Sequence, residues 1–154
     1  VFLPDPKNYP SFTMTVFTPE WIEALHQNIN SNENYRRHAA GWEGSLLLVM
    51  STNGQIDEAT APAVWLNLLH GRCLEAKAAT PHEFAAANFI LAGSGKDWKM
   101  VLDREIAPIM ALMRGKLKLK KGSLVTLTRY AEAAKEIVNA AASLNAHIPD
   151  EWLQ

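Results

Sequence analysis

The chain has 154 residues, 48% hydrophobic and 20% charged, which is enough to bury the core of one domain and too apolar for a disordered chain. Its net charge of −1 offers no global field for nucleic acid or an acidic membrane, and its single cysteine, Cys73, excludes an intramolecular disulfide and a multi-cysteine zinc site. No apolar run approaches the roughly 18–20 residues that cross a bilayer, and the first residues lack a signal peptide's basic-then-apolar pattern, so the expectation is a soluble, cytoplasmic protein.

Residues 1–17 read as an extended arm. Pro4, Pro6 and Pro10 forbid helix there, and Phe2, Leu3, Tyr9 and Phe12 supply apolar side chains more suited to docking than to floating. Thr18 then has the character of an N-cap, with Pro19 at the first helical position and Glu20 beside the positive helix end. Trp21, Ile22, Leu25 and Ile29 form the inward face of that helix, and the polar stretch from Asn30 predicts a second short helix ending near Gly41. Leu46 to Met50 is a run of five apolar residues, which suits a central strand covered on both faces.

After an Asn53-Gly54 turn, Ala63 to Leu69 reads as another buried strand. His70-Gly71 then reverses the chain into an outer strand with alternating polarity. Phe84 to Leu91 mixes alanines that favour helix with Phe89, Ile90 and Leu91 that favour strand, and is assigned to strand. From Gly95 onward Trp98, Leu102, Ile106, Ile109 and Met113 recur at steps of four, four, three and four, which places them on one helical face. Pro108 should break that run, because Ala107 before it is steered away from the α conformation. A short strand within Gly115–Gly122 follows, with Lys116, Lys118 and Lys120 alternating with Leu117 and Leu119. Last, Ser123 caps a predicted long helix to about Asn145, with Leu127, Tyr130, Ala134, Ile137, Val138 and Ala141 as its buried stripe. Strands grouped together with helices at the ends make the class α+β.

No residues here assemble a reaction. His70, Arg72 and Cys73 are close in sequence, but a tight hairpin points them to different faces, and no partner acid or oxyanion loop accompanies them. The remaining histidines, His26, His38, His82 and His147, have no metal-ligand spacing. The lysine row on the short strand reads first as protection of a sheet edge, with contact to anionic headgroups or a CoA phosphate as the alternative. The apolar stripe from Trp98 to Met113 reads first as core, with the wall of a cavity for an apolar ligand as the alternative, since methionines can repack around different shapes.

Three ordered segments resemble the sterol carrier protein 2 family: Leu91-Ala-Gly-Ser-Gly-Lys-Asp-Trp98, then Ile106-Ala-Pro108 with Ile109-Met-Ala-Leu-Met113, then Arg114-Gly-Lys-Leu-Lys-Leu-Lys-Lys-Gly122. The match is specific over Phe84 to Leu144 and loose over residues 17–80. Glu105 departs from a frequent glycine and Ser123 from a frequent aspartate. The final Trp152-Leu-Gln154 differs from the serine-lysine-leucine signal of peroxisomal members.

The resemblance implies a five-stranded mixed, mostly antiparallel sheet covered by about five helices and enclosing an apolar tunnel. The domain would span 18–146, between the arm at 1–17 and a tail at 147–154. It also implies non-enzymatic binding of a fatty acyl chain, acyl-CoA, phospholipid or sterol-like molecule, for carriage or for presentation to an enzyme, with no cofactor and no metal. On that reading Leu48, Phe89, Trp98, Leu102, Ile106, Ile109, Met110 and Met113 would line the tunnel. Partners would be an apolar small molecule, a transient membrane contact or a second copy of the chain, and not nucleic acid. The alternative is a protein-interaction or dimerisation module on the same fold with a filled core.

Overall fold

The computed structural model describes residues 14–154; the docking expected of the arm at residues 1–12 lies outside them. The described residues form seven α-helices and five strands: α1 (Pro19–Asn30), α2 (Glu33–His38), β1 (Glu43–Met50), β2 (Ala63–Leu69), β3 (Arg72–Ala78), α3 (Pro81–Ala86), β4 (Phe89–Gly93), α4 (Gly95–Leu102), α5 (Pro108–Met113), β5 (Lys118–Lys121), α6 (Leu124–Arg129) and α7 (Ala131–Ala142). The strands make one sheet in the order β3-β2-β1-β4-β5, parallel between β1 and β4 and antiparallel elsewhere. β1 is therefore central, as its uninterrupted apolar run requires.

Alternation along β1 and β4 divides the sheet between two cores. Leu46 and Met50 of β1, with Phe89 and Leu91 of β4, belong to the larger core shared with α1, α4 and α7. Leu47, Val49, Ile90 and Ala92 belong to a smaller core with Phe84 of α3. α1 is held to the β3 edge through Asn30. Its amide nitrogen donates to the Cys73 carbonyl at 2.9 Å, and its carbonyl oxygen accepts from the Cys73 backbone N–H at 2.7 Å. Val16 N–H donates to the His147 carbonyl at 3.0 Å and His147 N–H to the Met14 carbonyl at 2.7 Å, which joins the start of the described residues to the segment after α7. Val16 and Ile148 are both buried.

Three expectations need correction. Phe84–Leu91 is not one strand: Thr80 and Glu83 form a capping box with Pro81 at the first helical position, which starts α3. The switch to strand follows at Asn88, whose side-chain oxygen accepts from Ser45 N–H at 2.9 Å while Ser45 Oγ accepts from Asn88 N–H at 2.9 Å. The long last helix is two helices that meet at Tyr130. Ser123 caps the first by accepting from Thr126 N–H at 3.3 Å. β-Branched Val125, Thr126 and Thr128 propagate helix poorly, and Thr128 Oγ1 bonds back to the Leu124 carbonyl at 2.8 Å.

The third correction concerns the helical run after Gly95. The break begins at Asp103, five residues before Pro108, because Arg104 adopts a left-handed φ of 61°. That turn resets the helical phase, so α5 buries Pro108 and Ala111 rather than continuing the stripe through Ile109 and Met113.

Candidate functional site

The space that could admit a ligand lies between the sheet and the helices of the larger core. One cavity of about 40 Å³ is lined by Leu48 of β1, Trp98 and Leu102 of α4, Trp21 of α1, and Ile137 and Ala141 of α7. A second of about 40 Å³ lies farther along α7, lined by Leu46, Leu68, Trp42, Tyr130, Ala133 and Ile137. Ile137 is the residue the two share. The gaps exist because α7 presents alanines on this face, Ala133, Ala134 and Ala141, where larger side chains would fill the layer.

The first cavity borders two openings. A cleft of about 480 Å³, edged by Lys99, Asp103, Arg104, His147 and Asp150, shares Trp21, Leu102 and Ala141 with it. A groove of about 190 Å³ over Ile106, Ala107 and Pro108 shares Val101 and Val138 with it. The arrangement is an apolar interior with a polar rim.

Residues 22–135, most of the chain, match the SCP-2 sterol transfer family. The chain belongs to that family. A crystal structure of sterol carrier protein 2 is 39% identical, covers 82% of this chain and 97% of its own, and superposes with a TM-score of 0.72. The solution structure of a conserved hypothetical protein from Thermus thermophilus, suggested to be a sterol carrier protein, is 38% identical; the match covers 89% of this chain and 94% of the other with a TM-score of 0.75. No curated protein matches the chain. The five-stranded mixed sheet and α+β class expected of an SCP-2 member are those observed.

Of the eight residues expected to line an SCP-2 tunnel, the structure brings Leu48, Trp98 and Leu102 together around one cavity. Trp98 is also structural, since its Nε1–H donates to the Val49 carbonyl of β1 at 3.0 Å. Phe89 is buried against Trp42 with ring centroids 4.9 Å apart, and Ile106 lines the separate groove. Ile109 is half-buried on the larger core. Met110 and Met113 are 40% and 64% exposed and line none of these spaces. The expectation missed Trp21, Ile137 and Ala141 as lining residues. Their signal was present in the buried stripes of α1 and α7, but periodicity does not separate a core contact from a cavity wall.

Burial, aided by the Glu75 and Glu23 carboxylates and only partly offset by a hydrogen bond to the Glu75 backbone, pushes the Cys73 thiol up to about 12, far from nucleophilic readiness. Burial, reinforced by Cys73, likewise raises the Tyr35 phenol well above its ordinary value, so it lines the second cavity as a neutral group. His70 Nε2 lies 2.7 Å from Glu43 Oε1 on the exposed hairpin, while Cys73 is buried and Arg72 exposed. Among the described residues no three His, Cys, Asp or Glu side chains come together as metal ligands, and no helix is long and apolar enough to cross a membrane.

Proposed function

We propose that the protein binds the apolar part of a lipid in the layer between the sheet and α1, α4 and α7, without a covalent bond to it. The observation that carries this reading is the pair of apolar cavities meeting at Ile137, in a chain of the SCP-2 sterol transfer family. At about 40 Å³ each they fall well short of the about 300 Å³ that small-molecule sites occupy, so the layer must open. A rotamer change at Ile137 or an outward shift of alanine-rich α7 would join them, and the Trp21–Leu102–Ala141 edge leads on to the surface cleft. Native mass spectrometry should find a co-purified lipid, and displacement of a fluorescent fatty acid should show micromolar binding. Ile137→Trp, which fills both cavities, should weaken that binding by about tenfold, the worth of about 1.4 kcal/mol of lost contact. Failure to bind fatty acids, acyl-CoAs, phospholipids and sterols alike would overturn the reading.

The small cavity volumes favour one rival, a protein-interaction or dimerisation module with a filled core. Exposed Met110 and Met113 would supply part of its contact surface. The same mass spectrum distinguishes the two: a dimer mass without lipid supports the rival.

A further inference from the structure

Trp21 carries a polar atom that the fold leaves unused. Three other tryptophans each donate their indole N–H: Trp42 to the Gly44 carbonyl at 2.9 Å, Trp65 to Glu75 Oε1 at 2.9 Å and Trp98 to the Val49 carbonyl at 3.0 Å. Trp21 is only 3% exposed, and its Nε1–H is the one buried side-chain nitrogen or oxygen among the described residues without a partner. Leaving such a donor unpaired is costly, and native proteins rarely do so without a reason.

Its position supplies the reason. Trp21, with Leu102 and Ala141, is where the apolar cavity meets the 480 Å³ cleft. A molecule with its apolar body in the cavity would place its first polar atom at this junction. The indole N–H is a donor only, so that atom must be an acceptor.

The charges nearby say which kind. Lys99 is paired with Asp103, and Arg104 Nε donates to Asn139 Oδ1 at 2.9 Å. Around the cleft the two cations Lys99 and Arg104 balance the two carboxylates Asp103 and Asp150, with the His147 imidazole beside them. An ionised head would lose its hydration there without a net opposite charge to replace it, whereas an uncharged oxygen needs only the one hydrogen bond.

We propose that Trp21 Nε1–H anchors an uncharged oxygen, a hydroxyl or a carbonyl, at the end of the apolar molecule held between α1, α4 and α7. This rests on the lipid-binding reading and narrows it to neutral amphiphiles.

The test compares 1-decanol, decane and decanoate, each delivered from a cyclodextrin complex to ¹⁵N-labelled protein and to the Trp21→Phe variant. The variant keeps an aromatic ring at the site and removes the donor, and loss of one indole resonance assigns Trp21. In the wild type, 1-decanol should move the Trp21 indole resonance downfield, and decane should not. The variant should bind 1-decanol about three- to tenfold more weakly and decane within about twofold of the wild type, the scale of one hydrogen bond. Any fall in its ligand-free melting temperature reflects the smaller buried ring, since the lost N–H had no partner. Decanoate should bind more weakly than 1-decanol at pH 7. An unmoved Trp21 resonance in the 1-decanol complex, equal 1-decanol affinity in the variant, or tighter binding of decanoate each overturns the anchor while decane binding keeps the lipid reading. Absence of binding by all three probes overturns the anchor, while the lipid reading falls only if acyl-CoAs, phospholipids and sterols also fail to bind. Should the variant fail to fold, the wild-type resonance decides alone.

Discussion

In α4 Trp98 and Val101 are buried, at 7% and 1% exposure; in α5, a few residues later, Met110 is 40% and Met113 64% exposed. The two helices come from one continuous hydrophobic rhythm in the sequence, and both pack on α7. What separates them is the segment 103–107, where the left-handed Arg104 turns the chain and Ala107, at ψ 148°, hands it to Pro108. After the turn the periodicity restarts with a new phase. A stripe read across such a break names residues on both sides, and beyond the turn Ile106 and Ile109 still reach the larger core while Met113 stays exposed.

The largest test of that comparison is Trp98→Ala. Removing a large buried ring should cost about 3–5 kcal/mol, and the Val49 carbonyl would lose its donor as well. Urea denaturation would measure this. A loss below about 1 kcal/mol would mean that α4 is no better anchored than α5.

Gly95→Ala comes next. An added Cβ at the first residue of α4 would lie 2.0 Å from the backbone oxygen of Trp152, so the C-terminal segment must move or α4 must tilt. The expected loss is about 1–3 kcal/mol. Placing alanine at Gly115, after α5, would meet only the end of the Lys118 side chain at 3.4 Å, but φ there is 76° and the cost would be backbone strain. The first variant should therefore recover stability when residues 149–154 are removed, and the second should not.

How much of this was legible depended on whether a signal was local. The α1 cap at Thr18, the Pro19 start, the central β1 run and the His70-Gly71 reversal are all set by neighbouring residues, and they appear where the sequence places them. α3 was equally local. Thr80, Pro81 and Glu83 spell a capping box, and giving weight to Phe89-Ile90-Leu91 obscured it. The site was less legible for a physical reason. Whether Ala141 or Ile137 touches a neighbour or borders a void depends on side chains from α1, β1 and α4, which no single helical pattern contains. Trp21 shows the same limit, since its burial is legible from the α1 stripe but the missing partner is not.

Glu83, on the other face of the sheet from the cavities, gives a smaller and pH-dependent effect. Burial pushes its carboxyl up, but Thr80's side chain and backbone N–H, with Lys77 and His82, outweigh burial and hold it below the usual glutamate range. Thr80 Oγ1 lies 3.0 Å from Oε2, and Lys77 Nζ lies 3.6 Å from Oε1. A folded pKa below the unfolded one gives stability that is present above about pH 4.3 and lost as pH falls through the folded value. Glu83→Gln should therefore be less stable than wild type at pH 7, with the gap closing on acidification. A gap that widens on acidification would mean that burial dominates.

The smallest expected effect returns to the end of α5. Met113 is 64% exposed and lines no cavity in the closed layer, so Met113→Trp should change stability by less than about 0.5 kcal/mol. If α5 stays where it is when lipid enters, affinity for a long-chain ligand should also stay within about twofold. A clear loss of affinity at unchanged stability would mean that the loaded protein brings α5 over the ligand, using the 103–107 turn as a hinge and Met113 as part of a wall absent from the closed form. Equal losses in both would make Met113 a packing residue and contradict its exposure. Of these outcomes the first keeps α4 and α5 functionally distinct. The second would restore the single stripe from Trp98 to Met113 that the sequence suggests, but only in the open state.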